Sequence, residues 1–415
     1  MFSLCKLAAA RLGTNAAVTA PRQLHTGSAA LAEMKRRALP TTTSIKYTIP
    51  TDPYLLAQKF RNVLQQGKLD DAVAIVMQSK KRDQSGVVWN LVIDAYAQDG
   101  RLSRALRAFT EMRRRGFPPT PTTYTALFKA CSLSNSENSM DMADELFDSM
   151  GKYGVKPTII SINALLAVYQ RKHNVEAILE RFNSLSTDGP DAPTLATYTI
   201  VLSALRRELQ IRLAEITQKP EDGNAGVHNA RRMALLKEHV HQTFGALMNT
   251  WAAFAEDAAH RLDEPMDGTP PLHIDTRAIN TVLKACHAVY KENRALGRQG
   301  LRVIELAYGF DKYIGQNPKP RSTTAVEKEA LPLALRIRRA APGSGGDAGS
   351  SGAVVDSTTI DLALELCIRD RQFTKAVRFW SSLETNFGPL IKPSKANHAL
   401  YLECLSARLR QNETA

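Results

Sequence analysis

Long apolar runs are missing from this sequence. No stretch approaches the roughly 18 to 20 consecutive apolar residues that a membrane-spanning helix needs, which argues against an integral membrane protein. Cysteine is scarce, with five in 415 residues, and no two have the close spacing of a zinc ligand pair. A Gly-rich phosphate loop ending in Lys-Ser/Thr is absent. The one histidine pair, His239 and His241 in "HVH", has no neighbouring Cys, and an i, i+2 spacing does not bring both rings to one helix face. Acidic residues are outnumbered, giving a net charge of +13, and Met1 to Ala32 contains none.

That acid-free leader carries Lys6, Arg11 and Arg22 among many Ala, Ser and Thr residues. Leu4, Leu7, Ala8 and Leu12 can share one helical face, and no unbroken apolar core of the secretory kind follows Lys6. The composition is that of a mitochondrial transit peptide, expected over residues 1–31 with a disordered linker at 32–50. Within it, "RQLHTGSAAL" (Arg22–Leu31) resembles the two-step processing signal of matrix proteins, so the mitochondrial matrix is the expected compartment. Without residues 1–31 the charge is still +10, a surplus that favours a polyanionic partner such as RNA, or an anionic membrane surface.

What the chain does have is a period. With Gly86 as position 1, apolar residues fall at positions 4, 8 and 11 (Trp89, Ile93, Tyr96), one face of a helix. After "QDG" the pattern restarts at positions 20, 24 and 27 (Ala105, Phe109, Met112) and stops at Gly116, Pro118 and Pro119. The template recurs from Pro121 (Tyr124, Phe128, Cys131, then Ala143, Phe147, Met150), Ile159 (Ile162, Leu166, Tyr169, Ile178, Phe182, Leu185) and Leu195 (Tyr198, Leu202, Leu205). It returns from Thr276 (Ile279, Leu283, Cys286) and Ser357 (Ile360, Leu364, Cys367, Ala376, Trp380, Leu383). A weaker copy, Leu56, Phe60, Val63 and Ala72, precedes them. A hairpin with one apolar face cannot bury it alone, so the expected fold is all-α, an α-solenoid of stacked hairpins. Cys131, Cys286 and Cys367 share position 11 with Tyr96 and Tyr169, so they are expected to be packed thiols.

The unit "WNLVIDAYAQDGRLSRALRAFTEMRRRGFPP" closely resembles the pentatricopeptide repeat family, with its small–Gly turn, Ala at 20, Phe at 24, Met at 27, and Gly then Pro near the end. The resemblance implies a right-handed superhelix with a degenerate first repeat at 51–85 and three well-formed repeats at 86–194. A repeat with a long helical insertion would follow at 195–275, then a degenerate repeat at 276–320, a basic and Gly/Ser-rich linker at 321–356, and a last repeat with a capping helix at 357–410. It also implies single-stranded mitochondrial RNA in the groove of the first helices, one base per repeat. Base contact would come from position 5 (Asn90, Thr125, Asn163, Thr199, Asn280, Asp361) and from the closing position (Thr120, Thr158, Thr194, Asp275, and Ser394 after the sixth unit). Position 2 would pack against the base, although Arg277 and Thr358 depart from the usual apolar choice there. Lys129 and Lys284 at position 9 are the candidate phosphate contacts.

Each reading has a plainer counterpart. Every closing residue precedes a helix, where Ser, Thr and Asp serve as N-caps. Capping does not explain position 5, which lies inside the helix, where Asn and Thr have poor propensity. The lysines can be solvated surface charges. Asp361 and Glu365 lie i, i+4 without the further carboxylates a metal-dependent nuclease needs, and the last hairpin leaves no room for a C-terminal catalytic domain. No catalytic residue, cofactor or metal is therefore expected. The expected function is non-catalytic RNA binding in stability, processing or translation. Two alternatives stay open: a structural subunit of the small mitoribosomal particle, and a protein-binding helical scaffold.

Overall fold

The computed structural model describes residues 47–217, 226–264, 268–308, 355–387 and 393–413. The expected transit peptide at 1–31, residues 32–46 of the expected linker and residues 321–354 lie outside the described residues. Among the described residues the regular structure is helical, and no helix is long and apolar enough to cross a membrane. The chain divides into two compact units between Arg181 and Phe182.

The first unit is built from hairpins. Helices α1 (Pro53–Gln65) and α2 (Leu69–Gln78) form one, α3 (Gly86–Gln98) and α4 (Leu102–Arg114) the next. Helices α5 (Pro121–Leu133) and α6 (Ser139–Lys152) form a third, and α7 (Ile159–Arg171) leads into α8 (Val175–Asn183), which crosses the division. The first helices stack on one another, α1 on α3, α3 on α5 and α5 on α7, while each second helix backs its own partner. The apolar stripe read from the sequence is the glue of this stack. Trp89, Ile93, Tyr96, Tyr124, Phe128, Cys131 and Leu166 are all fully buried, and the edge of Phe109 meets the ring of Tyr124 at 5.8 Å. Burial stabilises each such side chain by roughly 1.5–3 kcal/mol. The turns obey the local code. Gly100, between α3 and α4, and Gly116, after α4, take φ of 68° and 86°, which residues with a Cβ rarely adopt.

The second unit follows the same plan with longer parts. Helix α9 (Leu195–Thr217) pairs with α10 (Gly226–Asp263), and α11 (Thr276–Val289) with the short α12 (Arg294–Gly297) and α13 (Gln299–Tyr308). Helix α14 (Ser357–Arg369) pairs with α15 (Phe373–Phe387), and α16 (Lys395–Glu413) packs on both. The first helices again stack, α9 on α11, α11 on α14 and α14 on α16. The insertion expected in the fourth repeat is thus the second helix itself, overgrown to 38 residues, roughly 57 Å at 1.5 Å per residue. Its C-terminal half does the packing: Phe244, Leu247, Trp251 and Phe254 are buried, and Phe254 stacks on Tyr198 at 4.5 Å. Toward its N-terminus Arg231, Arg232, Leu235, Lys237, His239 and His241 are exposed.

One buried ion pair secures the end of α10. Arg261 grips Asp257 with two bonds of 2.9 and 2.7 Å, and its remaining donors reach the carbonyls of Pro193, Pro270 and Thr187. Tyr198 donates to the same carboxylate at 3.0 Å. Both charged side chains are under a tenth exposed, so removing one strands the other. Arg261→Met is expected to cost about 3–5 kcal/mol in urea unfolding, and adding Asp257→Asn to recover part of it. An Arg261→Met variant as stable as the parent would contradict this.

Candidate nucleic-acid interface

Each first helix opens on a capped turn. Thr120 and Thr158 form reciprocal capping boxes with Thr123 and Ser161. Asp275 accepts from the Ala278 amide at 2.8 Å, Ser394 from the Asn397 amide at 3.1 Å, and the Thr194 amide donates to the Thr197 hydroxyl at 3.0 Å. The capping role expected for the closing residues is therefore present at Thr120, Thr158, Asp275 and Ser394. Asp356, which the sequence register did not place as a closing residue, caps α14 in the same way through the Thr359 amide at 2.7 Å.

Position 5 sits one turn further in, on the flank of the stack, and its residues behave in two ways. Asn and Asp reach across to the next first helix. Asn90 donates to Thr120 Oγ1 at 3.3 Å and accepts from Thr123 Oγ1 at 2.6 Å. Asn280 donates to both oxygens of Asp356 at 3.1 Å and accepts from Thr359 Oγ1 at 2.8 Å. Asp361 accepts from Asn397 Nδ2 at 2.6 Å, and burial pushes its carboxyl above the usual range while that bond opposes the shift. Threonine turns inward instead: Thr125 and Thr199 donate to the carbonyls of Pro121 and Leu195 in their own helices. Asn90, Thr125, Asn163 and Thr199 are half-buried, whereas Asn280 is 8% exposed and closed at both ends of its amide. Position 5 thus has a structural task that capping alone does not supply. Beside it, the position-2 residues Val87 and Ile160, at 59% and 68% exposure, and Tyr54 in the weaker first copy, at 74%, project to solvent. Arg277 and Thr358 are exposed too.

Sequence reasoning passed over position 3. Thr123, Ser161, Thr197, Thr359 and Asn397 recur there and are all fully buried. The signal was a short polar residue three places after the cap in five of the repeats, as in "TPTT", "TIIS", "TLAT", "DSTT" and "SKAN", whereas α3 and α11 carry Val88 and Ala278 there.

The basic residues distribute differently from expectation. Lys129 pairs with Asp94 at 3.0 Å, position 9 to position 9 of adjacent repeats, which leaves it a weaker candidate for phosphate. Lys284 is exposed on α11. A denser charge lies along the loops between repeats in the first unit. Lys80, Lys81 and Arg82 precede α3, Arg113 and Arg114 end α4, and Lys152 and Lys156 flank the turn before α7, all exposed. These loops adjoin: a Cβ on Gly116 would lie 3.3 Å from Lys81 Nζ, and the Arg113 guanidinium covers the Tyr153 ring at 4.1 Å. Asp83 and Glu111, which pair with Arg82 and Arg114, are withdrawn to 6% and 12% side-chain exposure, while Asp148, one turn before Lys152, is exposed. The edge borders Thr120 and Thr158, so cations run beside the polar row.

Burial pushes Cys131, Cys286 and Cys367 up to about 12, and Glu365 lies 2.6 Å from His287 Nε2, an imidazole whose pKa burial lowers. Among the described residues no group of His, Cys, Asp and Glu could hold a metal ion. Because the thiolate is the reactive form, a raised pKa keeps these groups protonated at pH 8. Cys131, Cys286 and Cys367 are expected to resist iodoacetamide there in the folded protein and to react within minutes in urea, read by peptide mass spectrometry. Prompt folded-state labelling would contradict the packing.

Comparison with known proteins places this geometry. Residues 84–132 match the PPR repeat family, and residues 135–172 and 145–207 match the pentatricopeptide repeat domain. A pentatricopeptide repeat-containing protein of Arabidopsis thaliana is 32% identical over 123 residues, 29% of this chain and 22% of that protein. A mitochondrial one from the same plant is 30% identical over 147 residues, 34% and 20% of the two chains. The mitochondrial 15S rRNA processing factor of Yarrowia lipolytica is 26% identical over 160 residues, 37% of this chain and 21% of that one. The matched segment therefore spans about a fifth of the length of each of these relatives. Among solved structures, the pentatricopeptide domain of Arabidopsis thaliana protein-only RNase P 1 in complex with tRNA aligns with a TM-score of 0.35 at 15% identity, over 55% of this chain and 89% of that one. The maize pentatricopeptide repeat protein PPR10 gives 0.34 at 17% identity, over 87% and 53%. The similarity to the pentatricopeptide repeat family thus covers residues 84–132 and 135–207, under a third of the chain.

Proposed function

We propose that this protein is a mitochondrial single-stranded RNA-binding factor that acts by occupancy, in the stability, processing or translation of organellar transcripts. The observation that carries the reading is the polar row of Asn90, Thr125 and Asn163, half-buried on successive first helices and bordered by the exposed position-2 residues Val87, Thr122 and Ile160 and by a basic edge. Bases would meet the row through Asn90, Thr125 and Asn163, and through Thr120 and Thr158 beside them, with Thr194 doing so in the second unit. In the second unit Thr199, Asp275 and Asp361 would serve the same role, while the closed amide of Asn280 yields its place to the exposed carboxylate of Asp356. Lys80, Lys81, Arg113 and Lys152 would hold phosphates, with Lys284 doing so on α11. The acid-free leader and two relatives named as mitochondrial support the matrix as its compartment.

A second reading, a structural subunit of the small mitoribosomal particle, is favoured by the overgrown α10, whose exposed basic N-terminal half exceeds what the hairpin requires. Co-sedimentation with ribosomes that survives high salt and messenger RNA digestion would favour it over a free factor.

Retention of a randomised single-stranded RNA pool by the full chain separates the contributions. Changing Asn90, Thr125 and Asn163 together to Ala is expected to lose sequence preference more than total affinity. Changing Lys80, Lys81 and Lys152 to Gln should weaken all RNAs alike and lower the slope of log K against log salt by about 2, at ~0.7 per phosphate. An unchanged slope in the second variant would remove the basic edge from the account, and negligible retention at low salt would leave the protein-scaffold alternative.

A further inference from the structure

We propose that the buried side chain at position 3 of each following helix is a positioning residue that decides which edge of an Asn at position 5 a base meets. It rests on the base-reading role proposed above. Thr123 is fully buried and has one proton to give. Its oxygen already accepts the Thr120 amide at 3.0 Å, and it approaches Asn90 Oδ1 to 2.6 Å. That separation lies within the O–H···O range and below the ~2.7 Å floor for N–H···O, so the amide oxygen, not its nitrogen, faces Thr123. The nitrogen is thereby turned outward. One N–H meets exposed Thr120 Oγ1 at 3.3 Å and the other has no protein acceptor at hydrogen-bond distance among the described residues.

A second copy of the arrangement, in the other unit, fixes the orientation on chemical grounds alone. Asp356 is an acceptor only, so it must face the nitrogen of Asn280, and the oxygen must then face the hydroxyl of Thr359, as it does at 2.8 Å. A third copy keeps the polarity with different groups, Asn397 Nδ2 donating to Asp361 at 2.6 Å. In all three the position-5 oxygen faces the position-3 side chain, and at Thr359 the one hydroxyl proton is shared between Asn280 Oδ1 at 2.8 Å and Asp356 Oδ1 at 2.6 Å. Thr125 and Thr199 are too short to reach across and spend their proton on their own helices. Asn90 therefore presents hydrogen-bond donors to a base, whereas Thr125 and Thr199 present lone pairs.

Sequencing the RNAs that the full chain retains from a randomised single-stranded pool tests this. Asn90→Ala first identifies the nucleotide that Asn90 faces. Thr123→Val, which keeps the shape and deletes the hydroxyl, should relax preference at that nucleotide by about 5- to 10-fold, the equivalent of one hydrogen bond. Neighbouring positions and total retention should stay within about twofold, and Thr123→Ser should restore the parental profile. Asn90→Asp avoids any folding defect in Thr123→Val, since it keeps the Thr123 bond while removing both outward donors, and it should shift preference toward bases that offer a donor. Parental preference in both Thr123→Val and Asn90→Asp, at a nucleotide that Asn90→Ala relaxes, overturns the proposal. If Asn90→Ala leaves every position unchanged, base reading by Asn90 itself is wrong and the orienting role falls with it.

Discussion

The stacking of first helix on first helix through positions 4, 8 and 11 is the contact on which everything else in each unit depends. Large apolar side chains such as Trp89, Phe128 and Leu283 are fully buried in it, and no hairpin can bury them without a neighbour. Because the stripe occupies one face, residue 5 of each unit is forced onto the flank of the seam, half inside. A polar side chain there is close enough to the next helix to bond with it and exposed enough to meet something else. The geometry of the row is thus a by-product of how the core is closed.

That half-buried setting gives the same residues two tasks. Asn90 ties α3 to the capped turn of α5, and the tie leaves part of its amide unspent. Asn280 shows the other extreme, where the closing residue is a carboxylate and the amide is consumed between Asp356 and Thr359. In the proposed reading, whether a position-5 side chain only bridges two helices or is left open to a base is set by its neighbour, one repeat on. A polar group in a seam of low dielectric is costly unless bonded, which explains why short polar residues recur at position 3 among apolar ones.

Much of this was legible in the sequence. The period of apolar residues located the hairpins, the Gly and Pro residues located the turns, and the position-11 cysteines were recognisable as core. A long helical insertion was expected within the repeat at 195–275, and that stretch holds the helix Gly226–Asp263. Three things were hidden for physical reasons. Thr123 and Thr359 read as background because each sits in a run of short polar residues, "TPTT" and "DSTT", that helix capping already accounts for. Asp356 was missed as a closing residue because residues 309–355 separate it from α13, so counting by 35 fails. Lys129 looked like a free cation because its partner, Asp94, stands one whole repeat away and pairing across repeats is a property of the stack.

The central claim, that the polar row on the first helices meets bases, is tested most directly by mapping RNA–protein crosslinks. The full chain would be irradiated with a randomised single-stranded RNA pool at moderate salt, and the crosslinked peptides identified by mass spectrometry. The account predicts adducts in the first turns of α3, α5 and α7, around Asn90, Thr125 and Asn163. Adducts confined to α10 or to the second helices, with these turns unlabelled, would contradict it.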